Sequence, residues 1–181
     1  MDRLTKTIIE QIDTLSTIAT EFSNFAKMPK ANLEKINVEH VLMNSVAIFH
    51  DYSNVEILFK NESTHEPLVF ADKEQLLRVF NNLIKNAIQS IPEDKKGLIE
   101  IVLTNEKNQI SISIADNGTG ISDDVVDKIF VPNFTTKTAG MGLGLAMVKN
   151  IVETANGRIW FETKNTTGTT FHVMLPCYSE E

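Results

Sequence analysis

Cysteine is almost absent from this chain of 181 residues. The single thiol, Cys177, excludes a disulfide within the chain and a cysteine-rich zinc site, and its place near the C-terminus favours a plain strand or tail thiol over a nucleophile. The sequence also lacks a signal peptide and any apolar run of about 18 residues, the length that crosses a bilayer. We therefore expect a cytoplasmic module, with any membrane anchor in regions outside this sequence.

Positive charge is also scarce. The chain has 17 Lys and Arg against 24 Asp and Glu, a net charge of −7 at pH 7. Such an acidic surface disfavours non-specific binding to nucleic acid or to anionic membranes, so we expect neither as a partner. Any polyphosphate would need local backbone donors and a cation. The hydrophobic content of 42% is enough for the core of a domain of ordinary size.

The two commonest nucleotide-binding loops are missing too. In "GMGLGLAMVK", residues 140–149, a Rossmann fingerprint would need glycine where Leu145 stands, and the chain has no P-loop. Three alternating glycines nevertheless precede a helix-like run, Gly140, Gly142 and Gly144. Bare backbone N–H groups at a helix start favour an anion, but the motif alone is a weak signal.

The N-terminal segment predicts a long helix. Its apolar residues recur three or four positions apart, at Ile8, Ile12, Leu15, Ala19, Phe22 and Ala26. This spacing indicates the seam of a bundle or coiled coil, the alternative being an amphipathic helix packed on its own domain. Pro29 ends the helix. We predict a bundle helix over 1–28, a polar linker over 29–36 and a second domain over 37–178.

The sequence of the second domain predicts strands that pair mostly as hairpins. Helices are expected over 37–51, over 73–90 after the N-cap Asp72, and from Gly142 to about 154. Alternation predicts six strands, in which "PLVF" pairs with "NVEILF", "LIEIVL" with "QISISIA" and "RIWFET" with "TTFHVMLP". This order predicts an α+β fold, a two-layer α/β sandwich whose mixed, mostly antiparallel sheet is covered by helices on one face.

Polar residues interrupt this pattern at two places. Asn82 and Asn86 lie four apart, on one face of the 73–90 helix, where their carbonyl oxygens could bind a hard cation such as Mg²⁺ together with phosphate oxygens; a pair of solvated or capping asparagines is the alternative. Asp116 follows an apolar strand and could accept from an exocyclic amine such as that of adenine, while Gly118 and Gly120 permit close backbone approach. The alternative is an ordinary Asx turn.

A long irregular segment follows Asp116 and runs to about residue 141. It includes a short helix near 124–129 and the stretch "IFVPNFTTK", in which Phe130 and Phe134 could anchor a mobile loop. Its next three residues offer two hydroxyls and a cation, Thr135, Thr136 and Lys137. Loops of this length are usually functional or disordered, and the alternative is a surface loop pinned by two aromatic rings.

Together, "FNNLIKNAIQS", "DNGTGI", "IFVPNFTTK", "GMGLGL" and "GTTF" resemble the N, G1, F, G2 and final glycine boxes of the sensor histidine kinases. That family shares its Bergerat ATP-binding fold with gyrase, Hsp90 and MutL. "PNFTTK" with "GMGLGL" and "NLIKNAIQS" are most similar to the nitrogen-regulation branch. The likeness covers about residues 35–176, and the first helix resembles the second helix of the family's dimerisation hairpin.

The resemblance implies Mg-ATP binding. Asn86 would ligate Mg²⁺, Asn82 would support the metal or phosphates, and Asp116 would bind the adenine amine with help from Thr169. A lid would span about 123–141. The full set of implied catalytic and nucleotide-binding residues is Asn82, Asn86, Asp116, Gly118, Gly120, Ile121, Phe134, Thr136, Gly140, Gly142, Leu143, Gly144, Leu145 and Thr169. From its charge and position in the sequence, we add Lys137 near the γ-phosphate.

The resemblance also implies transfer instead of hydrolysis. The ATPase relatives carry a glutamate that activates water at the position of Asn82, and an amide cannot take that proton. The family's acceptor histidine precedes an acidic residue and a proline. "STHEPL" around His65 mimics this pattern, but it lies inside the nucleotide domain, so we expect the chain to start after the acceptor helix and not to phosphorylate its own histidines.

Three functions therefore remain open. The first is the catalytic core of a two-component sensor histidine kinase, partnered by a response regulator receiver domain and self-associating through its dimerisation helices. The second is a non-catalytic nucleotide-binding regulatory module. The third is a serine kinase of the anti-sigma type. The heptad-like helix before the ATP domain favours the first.

Overall fold

A five-stranded sheet covered by helices forms the main body of the chain. The structure is a computed structural model that describes residues 5, 7–9, 11–12, 15–16, 23, 31–50, 52, 54–135, 141–164 and 167–179. Within that part, the elements in chain order are β1 (Glu34–Asn37), α1 (Val38–Ile48), β2 (Val55–Asn61), β3 (Leu68–Ala71), α2 (Lys73–Ser90), β4 (Gly97–Glu106), β5 (Gln109–Asp116), a 3₁₀ turn (Val126–Lys128), α3 (Gly144–Thr154), β6 (Arg158–Lys164) and β7 (Gly168–Pro176).

The strand order of the main sheet is β2-β4-β5-β7-β6. β2 runs parallel to β4, and every other neighbouring pair is antiparallel. The predicted mixed, mostly antiparallel sheet is therefore confirmed. The two C-terminal strands pair as predicted, and Thr163 of β6 stands opposite Thr169 of β7.

The predicted hairpin between β4 and β5 is confirmed. Its two turn residues, Lys107 and Asn108, have φ of 46° and 65°. Two consecutive positive φ angles are the signature of a type I′ turn, whose twist matches that of the flanking strands. The hairpin brings Asp116, the last residue of β5, opposite Ile99 near the start of β4.

One predicted strand pairing is wrong. β3, the "PLVF" strand, does not pair with β2 but with β1, whose Ile36 stands opposite Val69. The last residues of the predicted linker, from Glu34 onward, thus form a strand. Only Ile36 of that strand is buried, so the sequence of β1 has no alternation of apolar and polar residues from which the strand could be predicted. β2 instead joins β4 through a parallel contact.

Helix α2 is the element that places the site. Its predicted bounds are confirmed, and the Asp72 side chain caps it by accepting from the Gln75 N–H at 3.0 Å. One face is fully buried, including Phe80, Leu83 and Ile84. This face packs on the buried side chains of β4, β5 and β7, such as Ile101, Ile112 and Val173. Polar residues of α2 that lie outside this face, such as Asn82 and Asn86, are not packed into the core.

The described residues between 5 and 23 are helical. Ile8, Ile12 and Leu15 of the predicted seam expose 51%, 58% and 63% of their surface, as an unpartnered seam would. The other predicted seam residues, Ala19, Phe22 and Ala26, lie outside the described residues. No helix within the described part of the chain has the length and apolar character that crossing a membrane requires.

Candidate functional site

A cleft of about 530 Å³ opens between α2, the loop after β5, the start of α3 and β7. Its size lies in the range of small-molecule sites. Ten of the predicted site residues line it, namely Asn82, Asn86, Asp116, Gly120, Ile121, Phe134, Gly142, Gly144, Leu145 and Thr169. The tertiary structure thus brings five sequence blocks into one cavity.

Asp116 has one carboxylate oxygen committed to the protein. Its Oδ1 accepts hydrogen bonds from the Gly118 N–H at 2.8 Å, the Ser90 hydroxyl at 2.9 Å and the Thr169 N–H at 3.3 Å. No described residue donates to Oδ2. Because Asp116 lines the cleft, the carboxylate keeps one oxygen as an acceptor for a ligand.

Burial raises the pKa of the Asp116 carboxyl above its ordinary value. The three donors and the positive charge of Lys95 act in the opposite direction, but they offset the desolvation only in part. An acid with a perturbed pKa in a cleft is a common mark of a functional site. This combination distinguishes Asp116 from the carboxylate of a solvated Asx turn.

The loop after Asp116 is fastened to the end of α2. A Cβ added to Gly118 would lie 2.0 Å from the Ser90 Oγ, so only glycine permits this approach. The Thr119 N–H donates to the Ser90 carbonyl oxygen at 3.0 Å. The Asn117 side chain faces away from the cleft, accepting from the Leu98 N–H at 2.9 Å. Ser90, which is not among the predicted site residues, is therefore the contact between α2 and the loop.

Asn82 faces the start of α3. Its Nδ2 donates to the Arg78 carbonyl oxygen at 2.8 Å, within its own helix. A Cβ on Gly144 would lie 2.7 Å from the Asn82 Oδ1, so the amide oxygen and the helix start are nearly in contact. Asn86 lines the cleft one turn further along α2. The sequence prediction that both asparagines share one site is consistent with this placement.

The far edge of the cleft contains the end of the predicted lid. Gly142 has φ of +66°, and a Cβ there would lie 2.2 Å from the Phe134 carbonyl oxygen. The predicted helix near 124–129 is a 3₁₀ turn over Val126–Lys128. Phe130 packs its ring edge against Phe161 and Phe171, with centroids 6.0 Å and 6.5 Å away. Within the predicted lid, 123–141, Phe130 is thus anchored on the sheet.

Some predicted residues are not placed on the cleft wall. Gly118 donates its backbone N–H to the Asp116 Oδ1, and Leu143 is buried. Thr136, Lys137 and Gly140 lie outside the described residues. In contrast, Lys85 and Ser90 line the cleft without having been predicted. Helical spacing could have identified Lys85, which is three residues from Asn82 and next to Asn86.

None of the four histidines lines the described part of the cleft. His65 lies between β2 and β3, where its backbone carbonyl accepts from the Asn105 side chain at 3.0 Å. His172 stacks on Trp160 with ring centroids 5.0 Å apart. That "STHEPL" only mimics an acceptor motif stays a prediction.

Several known proteins are similar to this chain. A family model described as histidine kinase-, DNA gyrase B-, and HSP90-like ATPase matches residues 71–179. Sensor histidine kinase ZraS of Escherichia coli (strain K12) is 32% identical over 177 residues, 96% of this chain and 37% of ZraS. An NtrY-like sensor histidine kinase of Rickettsia conorii is 35% identical over 149 residues, 82% of this chain and 25% of that protein.

The solved catalytic domain of histidine kinase ThkA has the same fold. It matches with a TM-score of 0.72 and 29% identity, over 80% of this chain and 95% of that domain. The NtrY-like relative agrees only loosely with the predicted nitrogen-regulation branch. The chain spans 37% and 25% of the length of the two curated relatives.

Proposed function

Because the chain belongs to the family of histidine kinase-, DNA gyrase B- and HSP90-like ATPases, we propose that it is the ATP-binding catalytic core of a two-component sensor histidine kinase. The cleft binds Mg-ATP, and the γ-phosphate passes to a histidine on a separate helix. The observation that carries this proposal is that the two carboxylate oxygens of Asp116 have different roles. Oδ1 accepts three hydrogen bonds from the protein, and Oδ2 is left for the ligand.

The adenine ring occupies the Asp116 end of the cleft. The exocyclic amine donates to Oδ2, and Thr169 lies beside it on β7. Ile121 and Phe171 supply apolar walls for the faces of the ring. A purine that carries an oxygen at that position would place two acceptors against each other, so the site selects adenine over guanine.

The phosphates occupy the opposite end, at the start of α3. Backbone N–H groups near Gly142 and Gly144 and the positive end of the helix favour their charge. Lys85 is the one cationic side chain among the described residues of the cleft wall, and Lys137 of the lid would add a second. Asn86 supplies an amide oxygen, a ligand suited to Mg²⁺ together with phosphate oxygens, and Mg²⁺ when bound would neutralise charge on the β- and γ-phosphates.

The chain holds ATP for transfer and hydrolyses it slowly. Asn82 stands where the resembling ATPases have a glutamate, and its amide donates to the Arg78 carbonyl oxygen. An amide cannot accept a proton from water, so a general base is missing there. Transfer to an imidazole needs alignment and charge neutralisation more than a base.

The surrounding partners follow from the same proposal. Residues 1–28 form the second helix of a dimerisation hairpin, and the exposed Ile8, Ile12 and Leu15 belong to its seam. Linker residues 29–36 and the nucleotide domain 37–178 follow. The phosphoryl group passes from the histidine to a response regulator receiver domain, and nucleic acid has no role.

A transfer assay tests the proposal. The chain is incubated with Mg²⁺ and γ-labelled ATP, with and without a separate helical hairpin that carries an H-[ED]-x-x-[TN]-P acceptor motif. We expect acid-labile label on the hairpin and none on the chain alone. Asp116→Asn is the inactive control. The acceptor's His→Gln variant is the control for the labelled residue.

The alternatives give different results. A non-catalytic regulatory module would bind ATP and label no acceptor, whatever hairpin is supplied. A serine kinase of the anti-sigma type would produce acid-stable label on a serine of its substrate. Strong acid-labile labelling of the chain alone would contradict the assignment of the acceptor to a separate helix.

A further inference from the structure

We infer that Thr163 is a specificity-determining positioning residue, whose hydroxyl fixes the direction of the Thr169 proton so that the cleft presents a donor to N1 of adenine. The inference rests on the proposed function, since it assumes that the cleft holds a purine. Thr163 belongs to β6 and is absent from the cleft wall. It would act on the ligand only through Thr169.

Thr163 joins three segments through one oxygen. Its Oγ1 accepts from the Ile121 N–H at 2.9 Å, on the loop that follows Asp116. The same oxygen lies 3.0 Å from the Thr169 Oγ1 and 3.3 Å from the Gly168 carbonyl oxygen. Thr163 and Thr169 are direct partners across β6 and β7. Thr169 is only 4% exposed, so its hydroxyl has few alternatives to these neighbours and the cleft.

A hydroxyl has one proton and two lone pairs, so two arrangements compete. If Thr163 donates to the Gly168 carbonyl oxygen, Thr169 donates to Thr163 and offers only lone pairs to the cleft. If Thr163 donates to Thr169, the Thr169 proton is free to point into the cleft. The distance of 3.0 Å lies within the usual range for O–H···O bonds and that of 3.3 Å does not, which favours the second arrangement.

The result is an ordered pair of polar atoms in the cleft wall. Asp116 presents an acceptor, because its Oδ1 is occupied and Oδ2 is left. Thr169 presents a donor beside it. The edge of adenine carries an amine donor next to the N1 acceptor, which is the complementary order. Guanine carries the reverse order, an oxygen acceptor next to an N1–H donor, so both wall atoms reject it.

The test compares ATP with 1-deaza-ATP, in which a C–H group replaces N1. Calorimetric titration with Mg²⁺ gives both dissociation constants for each variant. We expect the unaltered chain to prefer ATP by about tenfold, the effect of one hydrogen bond. Thr163→Val keeps the side-chain shape without the hydroxyl, and its preference should fall to about twofold or less. Thr163→Ser restores the hydroxyl and should restore the preference.

Two further variants make the result decisive. Thr169→Val removes the donor itself and should show the same lost preference as Thr163→Val. Thr163→Ala lacks the hydroxyl and also the bulk, so it replaces the valine variant if valine prevents folding in a thermal melt. A tenfold preference that persists without the Thr163 hydroxyl overturns the inference. Failure of the unaltered chain to bind either nucleotide would instead overturn the proposed function.

Discussion

Gly144 leaves no room for a Cβ beside the side chain of Asn82. A Cβ on Gly144 would lie 2.7 Å from the Asn82 Oδ1, closer than two such atoms pack. The first residue of α3 and the middle of α2 are thus fitted to each other at the phosphate end of the cleft. Because the backbone of Gly144 is helical, its conformation does not itself require glycine. The glycine instead leaves the Asn82 side chain room to keep its orientation.

Gly144→Ala should damage function more than stability. Alanine favours a helix over glycine by up to about 1 kcal/mol, and the colliding atom ends a movable side chain. We expect a melting temperature within about 3 °C of the unaltered chain and a transfer rate about a hundredfold lower, the loss typical of a misplaced group. Melting curves and single-turnover transfer measure the two effects.

Gly142→Ala is the matched comparison. Its Cβ would lie 2.2 Å from a backbone oxygen of Phe134, and its φ of +66° strains any other residue. The backbone must therefore move, at a cost of about 1–3 kcal/mol. We expect Gly142→Ala to lose more stability than Gly144→Ala, because its Cβ meets backbone and not a side chain. Equal loss of stability in the two variants would contradict this expectation.

Asp116→Asn should abolish adenine binding without unfolding the chain. The amide oxygen can accept the same three hydrogen bonds as Oδ1, whereas the amide nitrogen would face the adenine amine with two donors in opposition. We expect ATP to bind at least about a hundredfold more weakly. Inosine triphosphate carries an oxygen in place of the amine, so its affinity should rise in the variant while the affinity for ATP falls. Calorimetry with both nucleotides decides; unchanged ATP affinity would refute the adenine assignment.

The pKa of Asp116 should rise further in Ser90→Ala. Burial already raises this pKa, and the Ser90 hydrogen bond is one of the contacts that lower it. A ¹³C carboxyl titration by NMR measures the value in both proteins. Acid should weaken ATP binding from a higher pH in the variant than in the unaltered chain. A pKa that stays equal or falls in Ser90→Ala would contradict the role given to this hydroxyl.

The same raised pKa predicts how stability depends on pH. A carboxyl whose pKa is higher in the folded state contributes stability below its ordinary pKa and loses it as the pH rises through the raised value. At neutral pH the buried charge of Asp116 is therefore unfavourable, and Asp116→Asn should melt no lower than the unaltered chain without nucleotide. The advantage of the variant should disappear at a pH below the ordinary aspartate value.

Lys85→Gln should weaken binding through the phosphates alone. Lys85 lines the cleft on the same face of α2 as Asn82. We expect the affinity for ATP to fall about five- to tenfold, the effect of about 1 kcal/mol of screened charge attraction, and that for AMP to change little. Lys73→Gln, at the start of the same helix, is the charge-matched control. Equal weakening of ATP and AMP would place Lys85 away from the outer phosphates.

The N-terminal seam should mediate self-association. Ile12 and Leu15 are exposed to 58% and 63%, so charges there would be buried only in an assembly. Sedimentation is expected to show concentration-dependent association that Ile12→Lys with Leu15→Lys abolishes, while ATP binding persists. Thr7→Lys, outside the seam, adds a charge as a control. Association that survives the double substitution would contradict the proposed use of the seam.

Much of the fold follows from local patterns in the sequence. Apolar spacing predicts α2 to its first and last residue, and Asp72 marks its start because a short carboxylate caps free N–H groups. Alternation predicts the β4–β5 and β6–β7 hairpins, since their turns are short and their strands half-polar. The pairing of β3 with β1 could not be predicted, because a four-residue strand with one buried side chain has no period to detect.

The amino-acid sequence by itself determined three of the polar groups that the cleft contains: the helical period put Asn82 and Asn86 on one face, and the end of an apolar strand marked Asp116. Only the tertiary structure decided which atoms of these groups remain available. The contacts that commit Oδ1 and orient the Thr169 hydroxyl come from residues such as Ser90 and Thr163, 26 and 6 positions away in the chain. Serine and threonine have short, common side chains, and the hydrogen bonds that they form depend on distances that exist only in the folded chain. No sequence pattern therefore predicts these hydrogen bonds.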